Sequence, residues 1–419
     1  MSTLAIEGGH QLSGAVDVEG NKNSALPLLA ACLLTTEPCV LTNVPRISDV
    51  EVMARLLIDL GARVEGIGTT TLRVRCLDVV KDEPDGAMVG RLRGSVLLFG
   101  PLLARRGRAR LAPPGGDFPA RRSISTHLEA LAAMGARPMP HQGHGLEVPD
   151  GLKPASMYLY EASVTGTETA LLAAAAAPGV SEIRHAACEP HVAELCTFLQ
   201  RLGVGVTGGG TSTIRIEGGA KLHGAEHRLC GDYIEAGSWA VVAAVTGGEI
   251  DVHGARPEDM EVVAAVLKRM SIACTIDGEL FRVSRSTPRA AGRITTGLWP
   301  GFPSDLVSLV TVLATQAVGQ TLVHDWLYEL RLFALEQLSG MGADLFLCDP
   351  HRIIVTGGEK RLKGRPLDSR DLRSGMALIA AGLAGEGVSR VSPLETVERG
   401  YSRLVERLRA LGGQVEKVE

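Results

Sequence analysis

A unit of about 70 residues recurs six times along this chain, and nothing else in the sequence restricts the fold as much. Each copy is an amphipathic helix that runs into Leu-Gly, Met-Gly or a variant and then into a short strand. The copies are DVEVMARLLIDLGARVEG (49–66), STHLEALAAMGARPMP (125–140), PHVAELCTFLQRLGVGVTG (190–208), PEDMEVVAAVLKRMSIACTI (257–276), RLFALEQLSGMGADLFLC (331–348) and GYSRLVERLRALGGQVEKV (400–418). Gly61, Gly135, Gly203, Gly342 and Gly412 stand at the helix end in five of them, and Ser271 takes that place in the other. Glycine suits a helix C-terminus where the chain must turn sharply into a strand.

A second, more apolar helix precedes each of these and feeds a strand. The six are NSALPLLAACLL, GSVLLFGPLLARR, TGTETALLAAAAA, IEAGSWAVVAAV, SDLVSLVTVLATQ and RSGMALIAAGLA. Helices apolar on nearly every face are expected to be buried, with the amphipathic set outside them. Six such repeats divide into two three-repeat domains with a cleft between. The polar residues sit at the starts of the buried helices: Gly20-Asn-Lys-Asn23, Arg93-Gly-Ser95, Ser163-Val-Thr165, Asp232-Tyr-Ile-Glu235, Ser304-Asp305 and Asp371-Leu-Arg373. Helix N-termini offer unpaired N–H groups and a positive dipole end, so a polyanionic ligand is expected there.

Composition narrows the class. Hydrophobic residues make up 45% and aromatics only 4%, which implies a core of Ala, Val and Leu. A net charge of −4 argues against nucleic-acid or membrane-surface partners, which demand a basic excess. The eight cysteines form no CxxC pair and mostly lie in apolar runs, as reduced thiols do. With no export-signal pattern at the N-terminus and no span-length apolar run, a cytoplasmic protein is expected, without metal site or protein partner.

One loop stands apart. Arg110-Leu-Ala-Pro-Pro-Gly-Gly-Asp-Phe-Pro-Ala-Arg-Arg-Ser-Ile-Ser125 is too rich in Pro and Gly for a regular element. It carries Asp117 and the pair Arg121 and Arg122, an acid beside anion-binding groups, as a lid over a phosphate- or carboxylate-bearing substrate would.

The chain resembles the enolpyruvyl transferases, and within them the branch that acts on UDP-N-acetylglucosamine in peptidoglycan synthesis. The resemblance runs from about Leu4 to Val415. It rests on Gly20-Asn-Lys-Asn-Ser-Ala-Leu-Pro27, Leu92-Arg-Gly-Ser95, Pro114-Gly-Gly-Asp-Phe-Pro-Ala-Arg-Arg122, Glu189-Pro190, Phe302-Pro-Ser-Asp305, Arg331, Asp371-Leu-Arg373 and Arg399-Gly-Tyr401. It implies a two-domain inside-out α/β barrel of six βαβαββ repeats, with residues 22–230 in one domain and 1–21 with 231–419 in the other. It also implies transfer of the enolpyruvyl group of phosphoenolpyruvate to a hydroxyl of a uridine nucleotide, with phosphate released and no cofactor.

The resemblance assigns Lys22, Arg122 and Arg399 mainly to the phosphate, and Arg331 and Arg373 to the carboxylate, with Arg93 close by. Bidentate guanidinium groups suit both anions. Asp305 is expected to take the proton of the acceptor hydroxyl, although an Asp at a helix start also reads as a cap. Asp371 matches an aspartate near the reacting centre. Asn23, Leu327, Ser123 and Ser125 join the substrate contacts, as do Ser163, Val164 and Thr165 of a second nucleotide segment.

Asp117 stands where most of the family has the Cys that delivers a proton toward C3. An aspartate of ordinary pKa near 3.9 is protonated in roughly one part in a thousand at pH 7, and holding it so costs about 4 kcal/mol unless its pKa is raised. Fosfomycin alkylates the thiol of Cys-type members, and Asp117 offers none. Ser123 and Ser125 replace a Pro and an Asp of the segment that lies against uracil, and Glu161-Ala162 replaces a lysine that binds the diphosphate. The acceptor therefore stays open between UDP-N-acetylglucosamine and another nucleotide such as UMP in nucleoside-antibiotic synthesis. A catalytically silent nucleotide-binding paralogue is opposed by the intact Lys22, Asp305, Arg331, Arg373 and Arg399.

Overall fold

Helices with no polar face must be surrounded, and all six expected ones are. They are Lys22–Ala31, Phe99–Arg106 (entered through a 3-10 turn, Arg93–Leu98), Val164–Ala176, Tyr233–Thr246, Val307–Gln316 and Leu372–Ala384. From Tyr233 to Val245 every side chain is buried. The computed structural model describes residues 2–115, 123–140, 143–358 and 361–419. The expected site residues Asp117 and Arg122 lie outside the described residues.

The chain forms two compact units, one built on residues 20–230 and one on 231–419 with the first 19 residues. Each has its own apolar core and three sheets. In the 20–230 unit these are Glu226–Arg228 with Cys39–Thr42, Thr71–Arg75 and Arg63–Glu65; Gly205–Thr207 with Thr213–Gly218, Gly179–Arg184 and Ser156–Tyr158; and a three-stranded sheet of Arg108–Leu111, His144–Glu147 and Arg137–Met139. The other unit has three four-stranded sheets, and the N-terminal strands Thr3–Glu7 and Ser13–Asp17 enter two different ones. Ser13–Asp17 runs parallel to Glu249–His253, with Val16 opposite Val252. Strands alternate as one-sided sheets should: in Thr71–Arg75 only Leu72 and Val74 are buried. Among the described residues no sheet closes on itself, so the barrel is one of separate sheets around buried helices.

The six amphipathic copies end alike. In each, a residue with positive φ is followed by one whose N–H reaches back to a leucine carbonyl: Ala62 to Leu57, Ala136 to Leu131, Val204 to Leu199, Ile272 to Leu267, Ala343 to Leu338 and Gly413 to Leu408, all between 2.8 and 3.0 Å. Five of the positive-φ residues are the expected glycines, with φ between 94° and 105°, and Ser271 does the same at 62°. Two copies depart from a full helix. Residues 331–340 form a 3-10 turn, Arg331–Glu336, and a short helix, Gln337–Gly340, because Leu330 enters at φ 64° and Arg331 is drawn into the interior. The last copy starts only at Leu404, after Arg403 at φ 50°.

Helix Ser125–Ala133 is tied to helix Val164–Ala176 by His127, whose Nε2 lies 2.8 Å from the Thr165 hydroxyl. Burial, and after it the charge of Arg93, pushes the His127 pKa down from 6.5 to about 4.

Two tests of stability follow from these local features. Ser271→Gly should raise unfolding stability by about 1 kcal/mol, since a left-handed serine is strained where glycine is not; an unchanged denaturation midpoint would mean that Ser271 is not strained. For His127, the unfolded chain takes up a proton between pH 6.5 and about 4 that the folded protein refuses. Stability is therefore complete above pH 6.5 and falls as pH drops through that window, by up to about 3 kcal/mol. Unfolding curves against pH should be flatter there for His127→Gln, and parallel curves would contradict this assignment.

Candidate active site

In each unit the starts of the buried helices carry many of the expected site residues, among the described ones; Ser123, Ser125, Leu327, Arg331 and Arg399 lie on other segments. In the 231–419 unit the centre is Asp305, in the 3-10 turn Ser304–Leu306 that opens helix Val307–Gln316. It does not cap that helix. Its carboxylate sits instead between two guanidinium groups. Arg331 Nη1 donates to Oδ1 at 3.0 Å, while Arg373 donates to Oδ2 from Nε at 3.1 Å and from Nη2 at 2.9 Å. Both arginine side chains are 8% exposed, against 27% for Asp305. The carboxylate is therefore the member of the trio that faces outward.

A further shell fixes the arginines. Ser304 Oγ accepts from Arg331 Nη1 at 2.9 Å and donates to Asp325 Oδ2 at 2.6 Å. Asp325, fully buried, also accepts from Thr296 Oγ1 at 2.8 Å and from the Leu327 N–H at 3.3 Å. Arg331 stacks over the Tyr328 ring, 4.4 Å from its centroid. Arg373 Nη1 donates to Tyr401 Oη at 3.3 Å, and Tyr401 Oη lies 2.7 Å from Ser238 Oγ. Burial would lower the pKa of both guanidinium groups, but Asp305 above all holds them higher than usual, so both stay charged. Nε and Nη2 of Arg331 make no hydrogen bond among the described residues, which leaves a planar donor edge for a carboxylate.

Asp371 has a different place from Asp305. Its Oδ1 accepts from the N–H groups of Arg373 at 2.9 Å and Ser374 at 3.0 Å, and its Oδ2 from the Ser374 hydroxyl. It is the cap of helix Leu372–Ala384, and the cap fixes the backbone that carries Arg373. Arg399 follows the short helix Leu394–Glu398 and is half-buried. The next residue, Gly400, lies so close to Leu372 that a Cβ there would come within 2.7 Å of it, which seats Arg399 near the same helix start.

The 20–230 unit assembles the others. Lys22 begins the first buried helix, and its Nζ pairs with Asp49 Oδ2 at 2.8 Å, both side chains nearly buried. Asn23 follows it, its N–H donating to Asn21 Oδ1 at 2.8 Å. The Arg93 turn packs against this helix: a Cβ on Gly94 would lie 2.8 Å from Leu26. Arg93 Nη2 donates to the Ser123 carbonyl at 2.8 Å, and Ser123 Oγ accepts from the Ser125 N–H at 3.0 Å. Ser163 caps helix Val164–Ala176 by accepting from the Gly166 N–H at 3.2 Å. Val164 packs on the core, Thr165 meets His127, and Glu161 Oε1 accepts from Thr126 Oγ1 at 3.4 Å.

Anion binding by bare helix N-termini needs correction on one point. Four of the six buried helices are capped by their own side chains, Asn21, Ser163, Asp232 and Asp371, so part of their N–H capacity is already used. The positive charge comes from the arginines and Lys22. Asp49, Asp325, Tyr328 and Tyr401 were not foreseen as site residues, and Ser304 was read only as a polar residue at a helix start. The signals available were Ser304 inside Phe302-Pro-Ser-Asp305 and Tyr401 inside Arg399-Gly-Tyr401. Among the described residues no cluster of three or more His, Cys, Asp or Glu could hold a metal ion, and no helix is long and apolar enough to cross a membrane.

Comparison with known proteins identifies the family. The family model for EPSP synthase (3-phosphoshikimate 1-carboxyvinyltransferase) matches residues 6–408. The UDP-N-acetylglucosamine 1-carboxyvinyltransferase of Bradyrhizobium diazoefficiens is 41% identical, over 99% of this chain and 97% of its own. That of Treponema denticola is 39% identical over the whole of both chains. Among solved structures, the enolpyruvyl transferase NikO from Streptomyces tendae superposes with a TM-score of 0.89 at 24% identity, over 100% of this chain and 99% of its own. EPSP synthase from Acinetobacter baumannii gives 0.77 at 20% identity over the whole of both chains. At those identities the structures speak for the fold alone. Sequence match and fold together place the chain in the EPSP synthase family of carboxyvinyl (enolpyruvyl) transferases.

Proposed function

We propose that the protein transfers the enolpyruvyl group of phosphoenolpyruvate to a hydroxyl of UDP-N-acetylglucosamine and releases phosphate. The observation that carries this reading is the outward-facing Asp305 held by two buried arginines, in a chain 41% identical to a curated UDP-N-acetylglucosamine 1-carboxyvinyltransferase. The carboxylate of phosphoenolpyruvate takes the donors of Arg331 and Arg373, and Lys22, Arg122 and Arg399 hold its phosphate. As the arginines turn to the substrate, Asp305 loses its cationic partners and becomes a stronger base. It then removes the proton of the acceptor hydroxyl while that oxygen bonds to C2, and Asp117 supplies the proton to C3. Breaking the C2–phosphate bond and returning the C3 proton regenerates the vinyl group.

A second reading keeps the reaction and changes the acceptor to a uridine monophosphate. It is favoured by Glu161, whose carboxylate bonds Thr126 between Ser125 and Ser163. An exposed carboxylate beside the proposed nucleotide contacts opposes a diphosphate more than a monophosphate.

Phosphate release should be measured with phosphoenolpyruvate and, in parallel, UDP-N-acetylglucosamine, UMP and shikimate 3-phosphate. Turnover with the first alone supports the main reading, turnover with UMP alone the second, and none with any acceptor contradicts both. Asp305→Asn should lower kcat by about 100-fold or more, the scale of losing a positioned base. Fosfomycin should give no time-dependent inactivation, since alkylation needs a thiolate that Asp117 cannot supply; progressive loss of activity would show another nucleophile in its place.

A further inference from the structure

Behind Lys22 lies a buried carboxylate for which the reaction as described has no use. Glu194, on helix Pro190–Arg201, is 4% exposed. Its Oε2 accepts from the hydroxyl of Ser24, two residues beyond Lys22 on the same helix. Its Oε1 accepts from the Cys230 N–H at 2.8 Å and lies 2.9 Å from His227 Nε2. The Cys230 carbonyl in turn accepts from the Asn21 N–H at 2.8 Å, and Asn21 caps the Lys22 helix through its own side chain. The residues on either side of the pair Lys22–Asn23 are therefore both referred to Glu194, Ser24 directly and Asn21 through Cys230.

A carboxylate in this place is costly. Burial pushes its pKa up, yet the hydrogen bonds from His227, Ser24 and Cys230 bring it below the ordinary value, so it stays ionised. An apolar side chain would fill the space without desolvating a charge, but it could not fix two segments at once. His227 adds rigidity: its ring meets Phe198 edge-on with centroids 5.5 Å apart, and its Nδ1 is buried with no partner among the described residues. The simplest tautomer has the proton on Nε2, donated to Glu194.

We infer that Glu194 is a positioning residue for phosphoenolpyruvate, acting through Ser24 and Cys230 to set where Lys22 and Asn23 present their side chains. The inference rests on the proposed role of Lys22 in holding the phosphate. A mislocated first turn would leave Lys22 paired with Asp49 but misaimed at the substrate, and small misplacements are expensive in a charge-assisted site.

The test is steady-state kinetics on the full chain with both substrates varied, for Ser24→Ala, Lys22→Ala, the double variant, Glu194→Met and Glu194→Gln. Ser24→Ala should raise the KM for phosphoenolpyruvate roughly tenfold and leave that of the acceptor within about twofold. In the Lys22→Ala background the same change should have little further effect, because the two act in series. Glu194→Gln, whose amide oxygen can still accept from the Cys230 N–H and whose NH2 can donate to the Ser24 hydroxyl oxygen, should recover most of the affinity lost in Glu194→Met; if Glu194→Met does not fold, the Ser24 cycle decides alone. Equal changes in both KM values, no change for Ser24→Ala, or additive effects in the double variant would overturn the inference. If Lys22→Ala itself leaves the KM for phosphoenolpyruvate unchanged, the functional reading falls and the inference with it. If Lys22→Ala raises it and Ser24→Ala does not, only the inference falls.

Discussion

Helices with no polar face leave a protein only their ends on which to place a charge. That constraint shapes both units. Along Tyr233–Thr246 or Leu372–Ala384 an ionised group in mid-helix would face the core, where an unpaired charge cannot be accommodated. At the helix starts the chain is still entering from a loop, and side chains there can reach both cap positions and solvent. Asn21, Ser163, Asp232 and Asp371 occupy caps, while Lys22, Arg373 and Asp305 stand within a residue or two of a helix start. Fold and chemistry thus share the same few positions, and a repeat that buries three helices per unit supplies three such starts to each.

The Asp305 trio shows how that arrangement meets two demands. Two guanidinium groups buried without an anion would repel each other and lack hydrogen-bond partners. Asp305 and the deeper Asp325 compensate them while no substrate is bound. In the reaction proposed above, the same pairing would hold Asp305 back as a base until the substrate carboxylate took the arginines. Lys22 and Asp49 repeat the device in the other unit, with a nearly buried acid compensating a nearly buried cation.

How much of this was legible in sequence depends on range. The repeat was, because a left-handed residue and a leucine carbonyl recur at every helix end, and a glycine advertises the first of these. Ser271 was readable only from its neighbours' spacing. The fifth amphipathic copy was misread as a full helix because its pattern is helical, whereas the pull of Asp305 on Arg331 wins over it. Among site residues, the types Arg, Lys and Asp at helix starts were visible, but their pairing was not. Lys22 meets Asp49, Arg373 meets Asp305 across 68 positions, and Ser24 meets Glu194 across 170. Asp371 and Asp305 read alike as acids at helix starts, and only the geometry separates a cap from a carboxylate held by arginines. Single contacts such as Glu161 to Thr126, on which the second reading of the acceptor rests, are encoded by no periodicity.

The central claim is that Asp305 and the substrate carboxylate compete for Arg331 and Arg373. Titration of phosphoenolpyruvate into the protein without acceptor, compared between the natural chain and Asp305→Asn, tests it most directly. The neutral amide keeps the shape and removes the competing charge, so the variant should bind phosphoenolpyruvate more tightly, by about tenfold for each 1.4 kcal/mol of competition relieved. Equal or weaker binding by Asp305→Asn would contradict the account.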